Sequence, residues 1–134
     1  MPAKIIDKLA WIHLVDYKIL STRSKGKTKF YIPGGKRELG ESDVAALTRE
    51  IKEELTVDLV VEGIQFLGNF QAQADSHAEG VEVLMQCYTA DYQGEIRPAA
   101  EIAEIAWLTN ADRDKIAPVD QLIFDFLVEK GLLR

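Results

Sequence analysis

Glu41, Glu50, Glu53 and Glu54, with Arg49 beside the last three, are the residues of this chain best placed to do chemistry. They fall in one run, GKRELGESDVAALTREIKEELTV, from Gly35 to Val57. Like charges at helical-neighbour spacing repel by about 0.2–0.5 kcal/mol per pair. The negative end of a helix adds a few tenths, up to about 1 kcal/mol, for each anion close to it. Arg49 and Lys52 offset part of that cost. A cation bound among the carboxylates would offset the rest, and a phosphate chain would follow the cation. The plainer alternative is a solvated, charge-laced helix face, which accounts for most acidic runs taken alone.

The elements that must position these groups are legible around them. Ser42 suits an N-cap and Asp43 the positive end of a helix. Val44, Leu47, Ile51 and Leu55 then recur at helical spacing and define a stripe that faces a core. At about 100° per residue, Glu50, Glu53 and Glu54 lie side by side on the flank of that stripe, spanning roughly 100° of the helix. Upstream, Phe30-Tyr31-Ile32-Pro33-Gly34-Gly35-Lys36 reads as a β segment ending in a glycine turn that exposes backbone carbonyls and amides. Carboxylates and a carbonyl form the oxygen donor set that Mg²⁺ or Mn²⁺ prefers, and substrate phosphates and waters complete such a shell.

In this run the chain resembles the Nudix hydrolases, small MutT-like members in particular. The family box reads G-x5-E-x7-R-E-U-x-E-E-x-G-U, with U a bulky aliphatic residue. Gly35, Glu41, Arg49, Glu50, Ile51, Glu53, Glu54 and Val57 stand in register with it. Thr56 replaces the usual glycine, so the helix is expected to exit differently or through a strained turn. The resemblance implies an α/β fold, an α/β/α sandwich around a mixed sheet. It implies that Glu50, Glu53 and Glu54 hold the metal with a carbonyl of Gly34 or Gly35, that Glu41 adds negative field or a water-mediated contact, and that Arg49 steers a box glutamate. It implies water attack on phosphorus in a nucleoside diphosphate linked to another group. The metal would neutralise phosphate oxygens and acidify the water, and positioning would dominate catalysis.

The remaining sequence fits around that box. The 134 residues read as one domain, 1–134, with 47% hydrophobic residues and no repeat or linker. Met1-Pro2-Ala3-Lys4 lacks the apolar core of a signal peptide, and no segment approaches membrane-spanning length. Cys87 is the only cysteine, expected packed and inert, in keeping with a reducing cytoplasm. Leu9–Val15 and Lys18–Thr22 suggest a hairpin turning at Asp16-Tyr17, and Thr28–Ile32 a third strand. Ile64–Gln73 and Val81–Tyr92 suggest two long antiparallel strands joined by a polar loop around Ser76 and Gly80. Ile105–Leu108 reads as a short strand and Val119–Lys130 as a second amphipathic helix ending at Gly131.

A net charge of −6 argues against nonspecific nucleic-acid binding. The segment from Lys18 to Arg37 is nonetheless basic and free of acids. Arg23, Lys36 and Arg37 are the candidates there to clamp a polyanion, against the plainer reading of a lysine-solubilised hairpin. The general base is expected to be Glu53 or Glu101. Glu104 and the loop residues Asp75, His77 and Glu79 are further candidates, and exposed loop polarity is the plainer account of each. Phe30, Tyr31, Phe70, Tyr88 and Trp107 are able to stack a base but fit core positions equally well. The expected substrate is a nucleotide-type small molecule, with free nucleotides or dinucleoside polyphosphates ahead of ADP-ribose or a nucleotide sugar. A non-catalytic nucleotide-sensing module and a Nudix-fold isomerase are the competing classes. A homodimer is compatible with such a chain, and neither nucleic acid nor membrane is expected as a partner.

Overall fold

β1 (Lys4–Trp11) organises the molecule because its alternation feeds two cores at once. In this computed structural model, which describes residues 4–75 and 77–134, Leu9 and Trp11 enter one core and Ile6 and Ala10 the other. The other elements follow in order as β2 (Leu14–Val15), β3 (Lys18–Ser24), β4 (Gly34–Lys36), α1 (Asp43–Leu55), β5 (Asp58–Leu59) and β6 (Gln65–Gln73). Beyond them come β7 (Val81–Thr89), β8 (Tyr92–Gln93), β9 (Ile102–Leu108) and α2 (Pro118–Glu129).

The main sheet runs β4-β1-β7-β6, with β1 parallel to β7 and the other pairs antiparallel. A second sheet runs β2-β3-β9, and β5 pairs with β8. Ala46, Leu47, Ile51 and Leu55 of α1 pack with Leu9, Trp11 and Leu20. Val119, Ile123, Phe124 and Leu127 of α2 pack with Ile6, Val83, Met85 and Cys87. The sheets therefore lie between two helices in an α/β arrangement, as expected.

Several boundaries moved for identifiable reasons. The hairpin turns at Asp16-Tyr17, where both residues have positive φ (53° and 63°), but only β2 and β3 form it. β1 starts upstream, at Lys4, and takes its partners elsewhere, from β4 and β7. The strand expected over Thr28–Ile32 is reduced to single bridges at Phe30 and Tyr31, and the ladder passes to Gly34–Lys36. β9 begins at Ile102 rather than Ile105 because it pairs with β3 as far as Ser24. The polar loop expected around Ser76 has that residue outside the described ones. Cys87 is buried, and burial raises its thiol pKa, as suits an inert packed residue.

Thr56 ends α1 in the left-handed region itself, at φ 63° and ψ 17°, with its N–H donating to Lys52 O. Its hydroxyl donates to Glu95 O at 3.0 Å, an anchor that glycine would lack. The strained exit is the one this chain uses.

Candidate active site

The glycine turn and α1 meet through β1. Gly34 and Gly35 pair with Ala10 and Leu9, and Pro33 O accepts from Trp11 N–H at 2.9 Å. Gly34 has φ +147°, and a Cβ there would collide with the Leu9 carbonyl. At Gly35 a Cβ would fall inside the Glu50 carboxylate. Only glycines let the turn lie directly on the acidic helix face.

Ser42 caps α1 by accepting from Ala45 N–H at 3.1 Å. The three helix glutamates, neighbours in projection, end in different environments. Glu54 is buried at 7% exposure, Glu50 is half-buried, and Glu53 is exposed. Glu54 Oε1 accepts from Gly34 N–H at 3.1 Å. Burial, with Glu50 and Glu101 adding to it, pushes Glu54 up to about 8 against the pull of that N–H. Burial also raises Glu50, opposed by Arg49. Glu101 is itself exposed, on the turn before β9, yet close enough to Glu54 to help raise its carboxyl.

Arg49 binds the rest of the cluster together. Its Nε and Nη2 donate to the two oxygens of Glu41 at 2.8 and 2.9 Å, a bidentate pair. Nη1 donates to Glu50 at 2.9 Å and to Glu53 at 3.3 Å, and Nη2 also reaches Lys36 O at 3.1 Å. Glu41 accepts from Glu38 N–H as well at 2.7 Å, and the guanidinium first of all holds its carboxyl down at about 2. The loop before α1 is thus tied to the helix by one side chain.

A cavity of about 520 Å³ opens beside this cluster. Gly34, Gly35, Lys36, Glu50, Glu54 and Glu101 line one end. Ile6, Val83, Met85, Ala117, Val119 and Asp120 line a deeper, mostly apolar chamber. Asp120 is fully buried in the first turn of α2. Its Oδ2 accepts from Ile32 N–H at 3.2 Å, and its Oδ1 has no hydrogen-bond partner. Burial pushes this carboxyl up to about 7, with Asp75 adding to the rise and Lys8 opposing it. Lys8, on the same face of β1 as Ile6 and Ala10, also lines the cavity, and burial lowers its pKa.

The structure brings Glu50, Glu54, Glu101, Gly35 and Lys36 to the cavity, while Glu41, Arg49 and Glu53 do not line it and are joined to it through the contact of Arg49 with Glu50. Arg23 and Arg37 do not line it. Arg23 pairs with Glu104 at 2.6 Å and donates to Lys27 O. Arg37 pairs with Asp7 and Asp43, beneath the Tyr88 hydroxyl that donates to Asp43. Asp75 accepts from Tyr31 and Lys29 at 2.6 and 2.8 Å, and with His77 it borders the cavity mouth. Lys8 and Asp120 escaped the sequence reading. An acid in a first helical turn reads as a dipole partner, and Lys8 shares its face of β1 with a second lysine, Lys4, so nothing in the pattern set it apart.

An all-oxygen, over-charged donor set suits a hard divalent cation, and the contact between Glu50 and the Gly35 backbone puts main-chain oxygens within its neighbourhood. The set is not preassembled. Among the described residues no group of three or more His, Cys, Asp or Glu side chains is arranged to hold a metal ion. Arg49 accounts for this, since it draws Glu50 and Glu53 toward itself.

The family model described as NUDIX domain matches residues 9–126. The fold resembles the E. coli ORF135 protein in solution (24% identity, 95% of this chain and 91% of that one, TM-score 0.73). It also resembles the MutT NUDIX hydrolase from Burkholderia pseudomallei (21%, 90% and 96%, TM-score 0.71). The MutT protein from Methanosarcina mazei Go1 superimposes with TM-score 0.75 at 16% identity, over 96% of each chain. No curated protein sequence matches the chain. The family match spans most of the chain, and the chain belongs to the Nudix family. It is a Nudix pyrophosphohydrolase, of the class that hydrolyses nucleoside diphosphates linked to another group. No helix among the described residues is long and apolar enough to cross a membrane.

Proposed function

We propose that the chain hydrolyses the pyrophosphate linkage of a free nucleotide, a nucleoside di- or triphosphate, with the base seated in the chamber at Asp120 and the phosphates at Glu50, Glu54 and Glu101. The observation that carries this reading is the single cavity joining the acidic cluster to a buried carboxylate with an unused oxygen. An apolar slot with one acceptor in its wall suits a flat heterocycle bearing an N–H.

Glu50 and Glu54 would hold Mg²⁺ or Mn²⁺ together with a main-chain oxygen of the glycine turn, and Glu53 would join them on release from Arg49. Such a cation supplies positive charge for the phosphate oxygens and acidifies a water molecule. Arg49 orients Glu50 and holds the Glu41 loop against the helix. Lys36, exposed at the cavity edge, meets the phosphate chain as a point charge. Glu101, close to Glu54, would accept the proton of the attacking water. Arg23 and Arg37, engaged elsewhere, act on the substrate only through the long-range field.

The test is a nucleotide panel with Mg²⁺ or Mn²⁺, read by phosphate or pyrophosphate release and product mass. Hydrolysis of nucleoside triphosphates is expected, abolished by chelation. A chain that splits only ADP-ribose or nucleotide sugars would remove the free-nucleotide reading.

A further inference from the structure

Lys8 is an ionisable group in the cavity wall that the chemistry above does not use. Its stem lies on a sheet face shared with Ile6, Ala10, Val83 and Met85. The charges that act on it are Asp120, Glu54 and Glu50, with Lys36 across the β1–β4 ladder. Among the described residues the Lys8 ammonium makes no ion pair or hydrogen bond, and neither does Asp120 Oδ1.

That arrangement is poorly explained by stability. A half-buried cation and a fully buried anion lower their joint cost by touching, with hydrogen bonds between them. Apolar residues of similar volume would fill the same space at no electrostatic cost. Here the two groups border one cavity, each with hydrogen-bonding capacity unspent. A ligand that donates to one and accepts from the other would complete both.

We propose that Lys8 is a specificity-determining residue whose ammonium donates to a carbonyl oxygen of the nucleobase, while the neighbouring N–H of the base donates to Asp120 Oδ1. The inference rests on the base occupying this chamber and deepens that reading. A lactam supplies a carbonyl acceptor beside an N–H donor, as in guanine, hypoxanthine and uracil. Adenine presents only ring-nitrogen acceptors beside its amino group. A carbonyl oxygen, with two lone pairs, is the better partner for an ammonium with three N–H donors. Lactam bases are therefore selected over adenine, and Lys8 is the residue that selects them.

The test is kinetics of the full chain with GTP, ITP, UTP and ATP in Mg²⁺, for the native protein and for Lys8→Met and Lys8→Gln. The native chain is expected to favour the lactam nucleotides over ATP by about tenfold in kcat/KM, on the scale of one discriminating hydrogen bond to a charged group. Either substitution should raise KM for GTP, ITP and UTP by about that factor and for ATP by much less, so that the preference collapses. A native chain without the preference, or an equal loss on all four nucleotides, would overturn the proposal and leave Lys8 a general counter-charge. Calorimetric binding of GMP, UMP and AMP without metal reads the chamber apart from hydrolysis. If no nucleotide is split, the proposed function fails, yet tenfold tighter GMP than AMP binding that vanishes in Lys8→Gln still supports the role of Lys8. Equal binding of the three refutes it.

Discussion

Charge is handled in opposite ways at the rim and in the chamber of this site. At the rim, Glu41 takes two N–H groups of Arg49 and one backbone N–H, and Arg49 spends its remaining donors on Glu50, Glu53 and Lys36 O. In the chamber, Glu54 has one N–H partner for a carboxyl pushed up to about 8, Asp120 has an oxygen with none, and Lys8 touches no partner. Rim charges satisfy one another and stay fixed without a ligand. Chamber charges are held at a cost, since burying an ionisable group with incomplete hydrogen bonding is unfavourable. Under the proposed function, positioning falls to the outer set and binding to the inner one.

The largest expected effect comes from the inner set. Glu54→Gln should lower nucleotide hydrolysis by about 10³-fold, the scale of losing one preorganised electrostatic group. The melting temperature should hold or rise, because a buried ionisable carboxyl is replaced by a neutral amide that still accepts from Gly34 N–H. Phosphate release and thermal melting read the two outcomes separately, and joint loss of both would erase the contrast.

Asp120 sharpens it through pH. Its surroundings are Ile32 N–H, Lys8 of β1, Asp75 beyond β6, Cys87 of β7 and Tyr31. With its pKa raised from 3.8 to about 7, the folded chain keeps a proton between those values that the unfolded chain has lost. This group's contribution to stability therefore falls as pH rises from 4 to 7 and levels above that. Asp120→Asn should remove that slope and stabilise the protein at pH 8 by up to about 4 kcal/mol, with nucleotide binding weakened. Denaturant unfolding at a series of pH values checks the direction, and a variant less stable at pH 8 would contradict it.

Arg49→Ala should behave in the opposite sense, losing stability as well as activity. A destabilisation of about 1–2 kcal/mol is expected, modest because much of the network is wet. Hydrolysis should fall about 10–100-fold, as for other groups that orient a metal-site carboxylate. Arg49→Lys should recover little, since one ammonium does not reproduce the fork to Glu41. Chemical denaturation and steady-state rates test this together.

Thr56→Gly carries the smallest effect. It relieves a left-handed threonine, worth about 1–2 kcal/mol, but loses the hydroxyl bond to Glu95 O, worth about 0.5–1.5 kcal/mol. A net change between about −0.5 and +1.5 kcal/mol is expected by denaturant unfolding, with hydrolysis unaltered.

Local order was the readable part. Ser42 as cap, α1 over Asp43–Leu55, the glycine turn and the box itself all follow from interactions within a few residues, and so they stand in the sequence as spacing. Ladder partners do not. β1 reaches back to Lys4 because β7, far along the chain, lies parallel to it, and Thr28–Ile32 fails as a strand because β4 and not this segment completes the sheet edge. Helical projection grouped Glu50, Glu53 and Glu54 correctly on one flank. It had no means of ranking their burial, which depends on where the turn at Gly34 lands.

By itself, then, the sequence determined the kind of chemistry, because an acidic helix behind a glycine turn is a local pattern of charge and backbone freedom. Only the tertiary structure decided which carboxylate is buried, which arginines are engaged elsewhere, and that Lys8 and Asp120 share one chamber. Those facts join residues distant in sequence through sheet pairing and helix packing, and no spacing rule along the chain encodes such a meeting.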